Sequence, residues 1–132
     1  MMAIRVLVVD DAMFMRSMIK DILVNAGGRY EIVGEASNGR EAIARFRELN
    51  PHLVTMDIVM PQLDGIEATR EILKVNPTAV IVMCSAMGQE ALVVESISAG
   101  AKDFIVKPFT SERVLQVLAK ILPGGSGGAA AS

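Results

Sequence analysis

Three aspartates and one lysine stand at the ends of three short apolar runs. The run at 4–9 (IRVLVV) leads into Asp10 and Asp11, the run at 53–56 (LVTM) into Asp57, and the run at 104–106 (FIV) into Lys107 and Pro108. If these runs are neighbouring parallel strands, three carboxylates and one ammonium reach the carboxyl edge of one sheet, where open α/β sheets gather their chemistry. Carboxylates that close repel unless a cation lies between them, so the pattern asks for a divalent metal. Magnesium needs only a few protein oxygens and keeps water or phosphate in its other positions. Asp11, Asp57 and a nearby backbone carbonyl meet that demand. One carboxylate is then left to act as a nucleophile beside a metal and a lysine, and a lysine neutralises phosphate oxygens as a point charge. The chemistry implied is phosphoryl transfer to an aspartate.

Each of these residues also has a plainer use. An aspartate before a helix is a good N-cap, but one would serve, and here a pair is matched by a third at Asp57. A lone aspartate after a strand is often a turn former. Ser85 ends another apolar run, where a serine caps or turns the chain, or donates its hydroxyl to a phosphate oxygen. The lack of a G-x-S-x-G elbow and of a neighbouring base argues against a hydrolase serine. The single histidine, His52, precedes the LVTM run at the end opposite Asp57 and reads as structural, so a phosphohistidine donor would come from another protein. No glycine-rich phosphate loop follows the first run, where VVDDAMF stands, which disfavours a dinucleotide oxidoreductase and a P-loop NTPase.

The elements that must position these groups alternate regularly. Strand-like runs fall at 5–9, 31–35, 53–56, 80–84 and 104–106. All but the second are apolar without alternation, as for strands covered on both faces. The more polar EIVGE run at 31–35 belongs at a sheet edge. Helical patterns lie between them. The first covers about 12–26 and stops at Gly27 and Gly28. The second follows Asn38 with Ala42, Ile43 and Phe46 on one face and ends near Pro51. The third starts near Asp64, buries Ile66, Thr69, Ile72 and Leu73, and stops before Pro77. The fourth covers about 89–99, and the fifth is capped by Thr110 or Ser111 and buries Val114, Val117, Leu118 and Ile121. Five strand–helix units predict a doubly wound (βα)5 α/β domain with a parallel sheet.

Composition narrows the class. At 132 residues with 52% hydrophobic content, the chain is long and apolar enough for one packed domain and is not a disordered one. A net charge of −2 without a basic stretch gives no footprint for nucleic acid. No apolar run reaches membrane-spanning length and no signal pattern opens the chain, so a cytoplasmic protein is expected. The lone cysteine, Cys84, lies inside an apolar run and reads as a buried structural thiol. The tail at 124–132 (GGSGGAAAS) cannot pack a core and reads as a flexible, engineered addition to a domain at 1–123.

The segments VLVVDDAMFMR, VTMDIVMPQLDG, VIVMCSAMG and AGAKDFIVKPF, in this order and spacing, resemble the receiver domain of two-component response regulators. The resemblance runs from Ala3 to about Leu122. The DDAMFMR start and the MCSAMGQ loop look most like chemotaxis response regulators. It implies the flavodoxin-like strand order 2-1-3-4-5. It implies Asp57 as phosphoacceptor and a Mg2+ site made by Asp10, Asp11, Asp57 and the Val59 carbonyl, with Asp10 acting largely through water. Lys107 would contact the phosphoryl group, Ser85 and Phe104 would form the switch pair, and the bond to Pro108 would be cis. The partners implied are a histidine kinase as donor and a flagellar switch or other output protein at the face of helix 4, strand 5 and helix 5. A phosphatase is a further possible partner; nucleic acid and membrane are not. Such a chain catalyses its own phosphorylation and dephosphorylation without turning over external substrates. Two positions that tune dephosphorylation in that family, Val59 and Met87, are apolar here, and Phe104 lacks the hydroxyl often found at its place. Two other readings stay open: a receiver excised from a larger regulator, and an aspartyl-phosphate phosphatase. DDAMFM lacks the D-x-D spacing such phosphatases carry.

Overall fold

Five strands alternate with five helices along the chain. The strands are β1 (Ile4–Val9), β2 (Tyr30–Ala36), β3 (Leu53–Asp57), β4 (Val80–Ser85) and β5 (Asp103–Val106). The helices are α1 (Met13–Val24), α2 (Gly39–Leu49), α3 (Gly65–Val75), α4 (Glu90–Ser98) and α5 (Ser111–Ile121). These elements come from a computed structural model that describes residues 3–122; the tail at 124–132 lies outside the described residues. All neighbouring strands pair in parallel, in the order β2-β1-β3-β4-β5. The polar second strand is at an edge, as its composition requires. The order reverses between β1 and β3, so the crevice at that switch point opens above the ends of these two strands.

Alternate side chains of each strand enter two separate cores. Val6 and Val8 pack with Ile19 and Leu23 of α1 and with Val114, Val117 and Leu118 of α5. Leu7 and Val9 face the other way, toward Ala42 and Phe46 of α2 and Ile66 and Ile72 of α3. The strands are thus anchored on both faces. The fifth strand departs from the expectation of full burial: it forms the second edge, and Val106 is 41% exposed.

Capping explains where most helices begin. Asn38, Asp64 and Thr110 each accept a hydrogen bond from a backbone N–H three residues on. Helix α1 ends at Val24, two residues before the expected limit, and Gly27 and Gly28 follow with positive φ. Helix α4 is likewise one residue shorter at each end.

Two glycines fix the loop that follows β3. Gly39 N–H donates to the Leu63 carbonyl at 2.9 Å, and Gly65 N–H donates to the Ile58 carbonyl at 2.7 Å. A Cβ on Gly65 would lie 2.2 Å from the Asp57 carbonyl oxygen, and one on Gly39 would lie 2.2 Å from that of Leu63. Both obstacles are backbone, which cannot step aside cheaply. Gly65→Ala is expected to destabilise the domain by about 1–3 kcal/mol, measured by urea unfolding, although alanine is the better helix former by about 1 kcal/mol. An unchanged or raised midpoint would contradict the close approach.

Candidate functional site

The carboxyl edge of the sheet carries the charged groups together. Asp10 follows β1 and is held by four contacts. Its N–H donates to the Ala36 carbonyl at 3.1 Å, and its carbonyl accepts from Arg16 Nη1 at 2.7 Å. Its Oδ1 accepts from the Ala12 N–H at 2.9 Å, and its Oδ2 accepts from Lys107 Nζ at 3.1 Å. The bond to Ala12 forms a tight turn ahead of α1 and does not cap it; the N-cap, Ala12, has no side-chain cap bond. Asp57 ends β3, and its Oδ1 accepts from the same Lys107 ammonium at 3.3 Å. Lys107 follows β5 and donates its N–H to the Ser85 carbonyl at 2.7 Å, which ties its root to β4. The Lys107–Pro108 peptide bond is cis.

Asp10 and Asp57 are buried and Asp11 is exposed. One carboxylate oxygen of each lies within 4.8 Å of the others. Two charges at that distance repel by about 3 kcal/mol at an effective dielectric constant of about 20. The Lys107 ammonium bridges two of the three carboxylates and leaves the group with two uncompensated negative charges. The donors are all hard oxygens at an open sheet edge, which suits a small divalent cation with part of its water retained.

The pocket shifts its own titrations. Burial and then the Asp10 charge raise the Asp57 carboxyl to about 6, against the opposing pull of Lys107. Burial alone would lower the Lys107 ammonium, but the charges and hydrogen bonds of Asp57 and Asp10 outweigh it and raise it. Cys84, in register with Asp57, is fully buried and pushed up to about 12 by desolvation, so its thiol is inert.

Ser85 and Phe104 are brought together beside the acidic edge. Both line a cleft of ≈ 410 Å³ between α4 and β5, with Met87, Val93 and Val106. Ser85 is buried, and Phe104 packs on the core that contains Met83. Val59 and Met87, two residues beyond Asp57 and Ser85, are exposed apolar side chains, 53% and 77% accessible. His52 is away from the site: its Nδ1 accepts from Arg5 N–H at 3.0 Å and its own N–H donates to the Arg5 carbonyl. Sequence reasoning missed Arg16 and Glu35, which meet at 2.9 Å beside Asp10. The only signal was Gly34 within a strand pattern.

A doubly wound parallel domain with an acidic, lysine-bridged pocket at its switch point defines a class, and the comparisons agree on which. The family model of the response regulator receiver domain matches residues 6–119, and the chain belongs to that family. It is a receiver rather than an enzyme that turns over an external substrate. Among its relatives, the chemotaxis protein CheY of Thermotoga maritima is 60% identical over 117 residues, 89% of this chain and 96% of the relative. CheY of Bacillus subtilis is 57% identical over 121 residues, 92% and 99%. The crystal structure of a CheX-CheY-BeF3-Mg2+ complex from Borrelia burgdorferi contains a similar chain, with a TM-score of 0.84 and 34% identity, covering 92% of this chain and 90% of that one. Among the described residues no helix is long and apolar enough to cross a membrane.

A carboxyl raised in the fold binds its proton more tightly when folded than when unfolded. Its ionisation therefore costs stability as pH rises from about 4 to about 6. In metal-free buffer at pH 7, Asp57→Asn is expected to stabilise the chain by about 1–2 kcal/mol, and the gain should shrink by pH 5. Urea unfolding at the two pH values checks this; a destabilised variant at pH 7 would contradict it.

Proposed function

We propose that the chain is a chemotaxis response regulator in which Asp57 takes a phosphoryl group from a phosphohistidine on a partner kinase. The observation that carries this reading is the Lys107 ammonium shared between Asp10 and Asp57 at 3.1 and 3.3 Å, with Asp11 beside them. The kinship with CheY proteins of Thermotoga maritima and Bacillus subtilis supports the chemotaxis assignment. A cytoplasmic location goes with that reading.

An Asp57 carboxylate oxygen attacks phosphorus in line. The new O–P bond forms as the N–P bond breaks, and the freed electron pair returns to the imidazole nitrogen, which then takes a proton. Asp10, Asp11, Asp57 and the Val59 carbonyl would hold magnesium, which supplies charge neutralisation on the transferred oxygens when bound. Asp57 must be ionised to attack, and with its pKa near 6 it is so at neutral pH. Lys107 exchanges a carboxylate contact for a phosphoryl oxygen and keeps the added charge compensated. Its position is fixed by the backbone bond to Ser85, so little reorganisation is needed.

The added group brings negative charge and new acceptor oxygens to the edge. The Ser85 hydroxyl donates to one of them and draws the β4–α4 segment with it. Phe104 then turns into the cleft it shares with Ser85. Val94, Ile97 and Val106 are exposed on the adjoining surface and give an output partner, such as a flagellar switch protein, an apolar face that changes shape. The same chain supplies its own slow hydrolysis: neither Val59 nor Met87 carries a polar group to orient an attacking water, which leaves room for a separate phosphatase.

Incubation with acetyl phosphate and magnesium is expected to add one phosphoryl group per chain, read by intact mass. The rate should fall in acid, where protonation removes the charge that makes the Asp57 carboxylate a nucleophile, with bound magnesium holding that titration below the metal-free value of about 6. Chelation of magnesium or Asp57→Asn should abolish the gain. Equal labelling of Asp57→Asn would overturn the assignment.

A further inference from the structure

Strand β2 does not run straight. It pairs with β1 as Val6↔Ile32 and then Leu7↔Gly34, so Val33 is an extra residue, a β-bulge. Ile32 packs on the core under α1 and α5, as Val6 does. In a regular strand the residue three places on would face the opposite layer. The bulge reverses the phase: Glu35 lies level with Val8, whose side chain joins the α1–α5 core, and Ala36 lies level with Val9. Glu35 is thereby aimed at α1.

Two cations of α1 receive it. Arg16 Nε donates to Glu35 Oε1 at 2.9 Å and Lys20 Nζ donates to Oε2 at 2.6 Å. Glu35 is held ionised below the usual carboxylate range, first by the Lys20 hydrogen bond and also by Arg16. The other end of the Arg16 guanidinium donates to the Asp10 carbonyl at 2.7 Å. The Arg16 side chain is only 16% exposed, so this is a held group and not a waving surface cation. The Asp10 N–H is bound from the same strand, by the Ala36 carbonyl. Strand β2 thus grips both backbone groups of Asp10, one directly and one through Arg16.

We propose that Arg16 is a positioning residue for the divalent-cation site: oriented by Glu35, which the bulge at Val33 aims, it fixes the Asp10–Asp11 peptide so that both carboxylates converge. This rests on the cation-site reading above. Without the clamp, the repulsion among the carboxylates would be free to open the turn. Groups that orient metal ligands typically affect affinity by about 10–100-fold when removed.

The test is a magnesium titration of the whole chain by calorimetry, with no phosphodonor present. Arg16→Ala and the near-isosteric Glu35→Gln are expected to weaken Mg2+ binding by about 10-fold or more. Arg16→Lys should recover part of the loss, since an ammonium can reach one of the two partners but not both. Lys74→Ala, which breaks a remote surface pair with Glu71, should leave affinity unchanged. The same variants are followed by amide hydrogen exchange in metal-free buffer, where the Ala12 N–H bound to Asp10 Oδ1 should exchange at least several-fold faster in Arg16→Ala. Wild-type affinity in both Arg16→Ala and Glu35→Gln would overturn the clamp and leave the receiver reading standing. A wild-type chain that takes up no magnesium would overturn the reading itself, and the clamp's role with it.

Discussion

The structure is organised around a repulsion. Three carboxylates converge at one end of a parallel sheet, and a single ammonium holds two of them. By itself this arrangement opposes folding: burial and a neighbouring charge have raised Asp57 well above an ordinary aspartate. A pocket that costs stability persists only because the surrounding fold determines it from several sides, and such stored strain is typical of places that bind or react. The two negative charges left over give the site its demand for a cation. Once a dianionic phosphoryl group is added, they also give it a reason to rearrange.

The fold answers that constraint with rigid delivery. Strands β1, β3 and β5 bring Asp10, Asp57 and Lys107 to the same edge, and each is fixed behind by side chains packed on both sheet faces. Backbone bonds then tie the ends of the strands to one another: Asp10 to Ala36, and Lys107 to Ser85. The loop after Asp57 is pressed against the strand so closely that position 65 admits no side chain. On the far side of β4, Ser85 and Phe104 share a separate cleft. The acidic pocket and this cleft therefore adjoin the same strand end, since Lys107 is tied to Ser85 by its backbone.

Much of this was legible in the chain because one-dimensional patterns carried it. Continuous Val/Ile runs mark strands buried on both faces, the polar EIVGE run marks the edge, and Asp–Gly, Asn–Gly and X-Pro pairs mark helix limits. The charged residues stand out because each ends an apolar run. What was not legible depends on phase and distance. The bulge at Val33 shifts the facing of Glu35 without altering composition, so the edge strand read as plainly polar while one of its charges was aimed inward at Arg16. The β5 run read as fully buried because FIV is apolar, but it is the last strand of the sheet and has no neighbour to cover Val106. Gly39 and Gly65 simply follow Asn38 and Asp64 at the helix starts in the sequence, and their close approach to the backbone at Leu63 and Asp57 belongs to the tertiary fold alone.

A lysine-bridged pocket that accepts a phosphoryl group on Asp57, with a cation among the acids, should also accept a phosphoryl mimic there. A crystal structure of the chain with beryllofluoride and magnesium tests it most directly. The expected result is beryllium bonded to an Asp57 carboxylate oxygen, Lys107 Nζ turned to a fluoride, and the metal held among Asp10, Asp11 and Asp57. Beryllofluoride on another carboxylate, or a pocket unchanged with Lys107 still bridging Asp10 and Asp57, would contradict it.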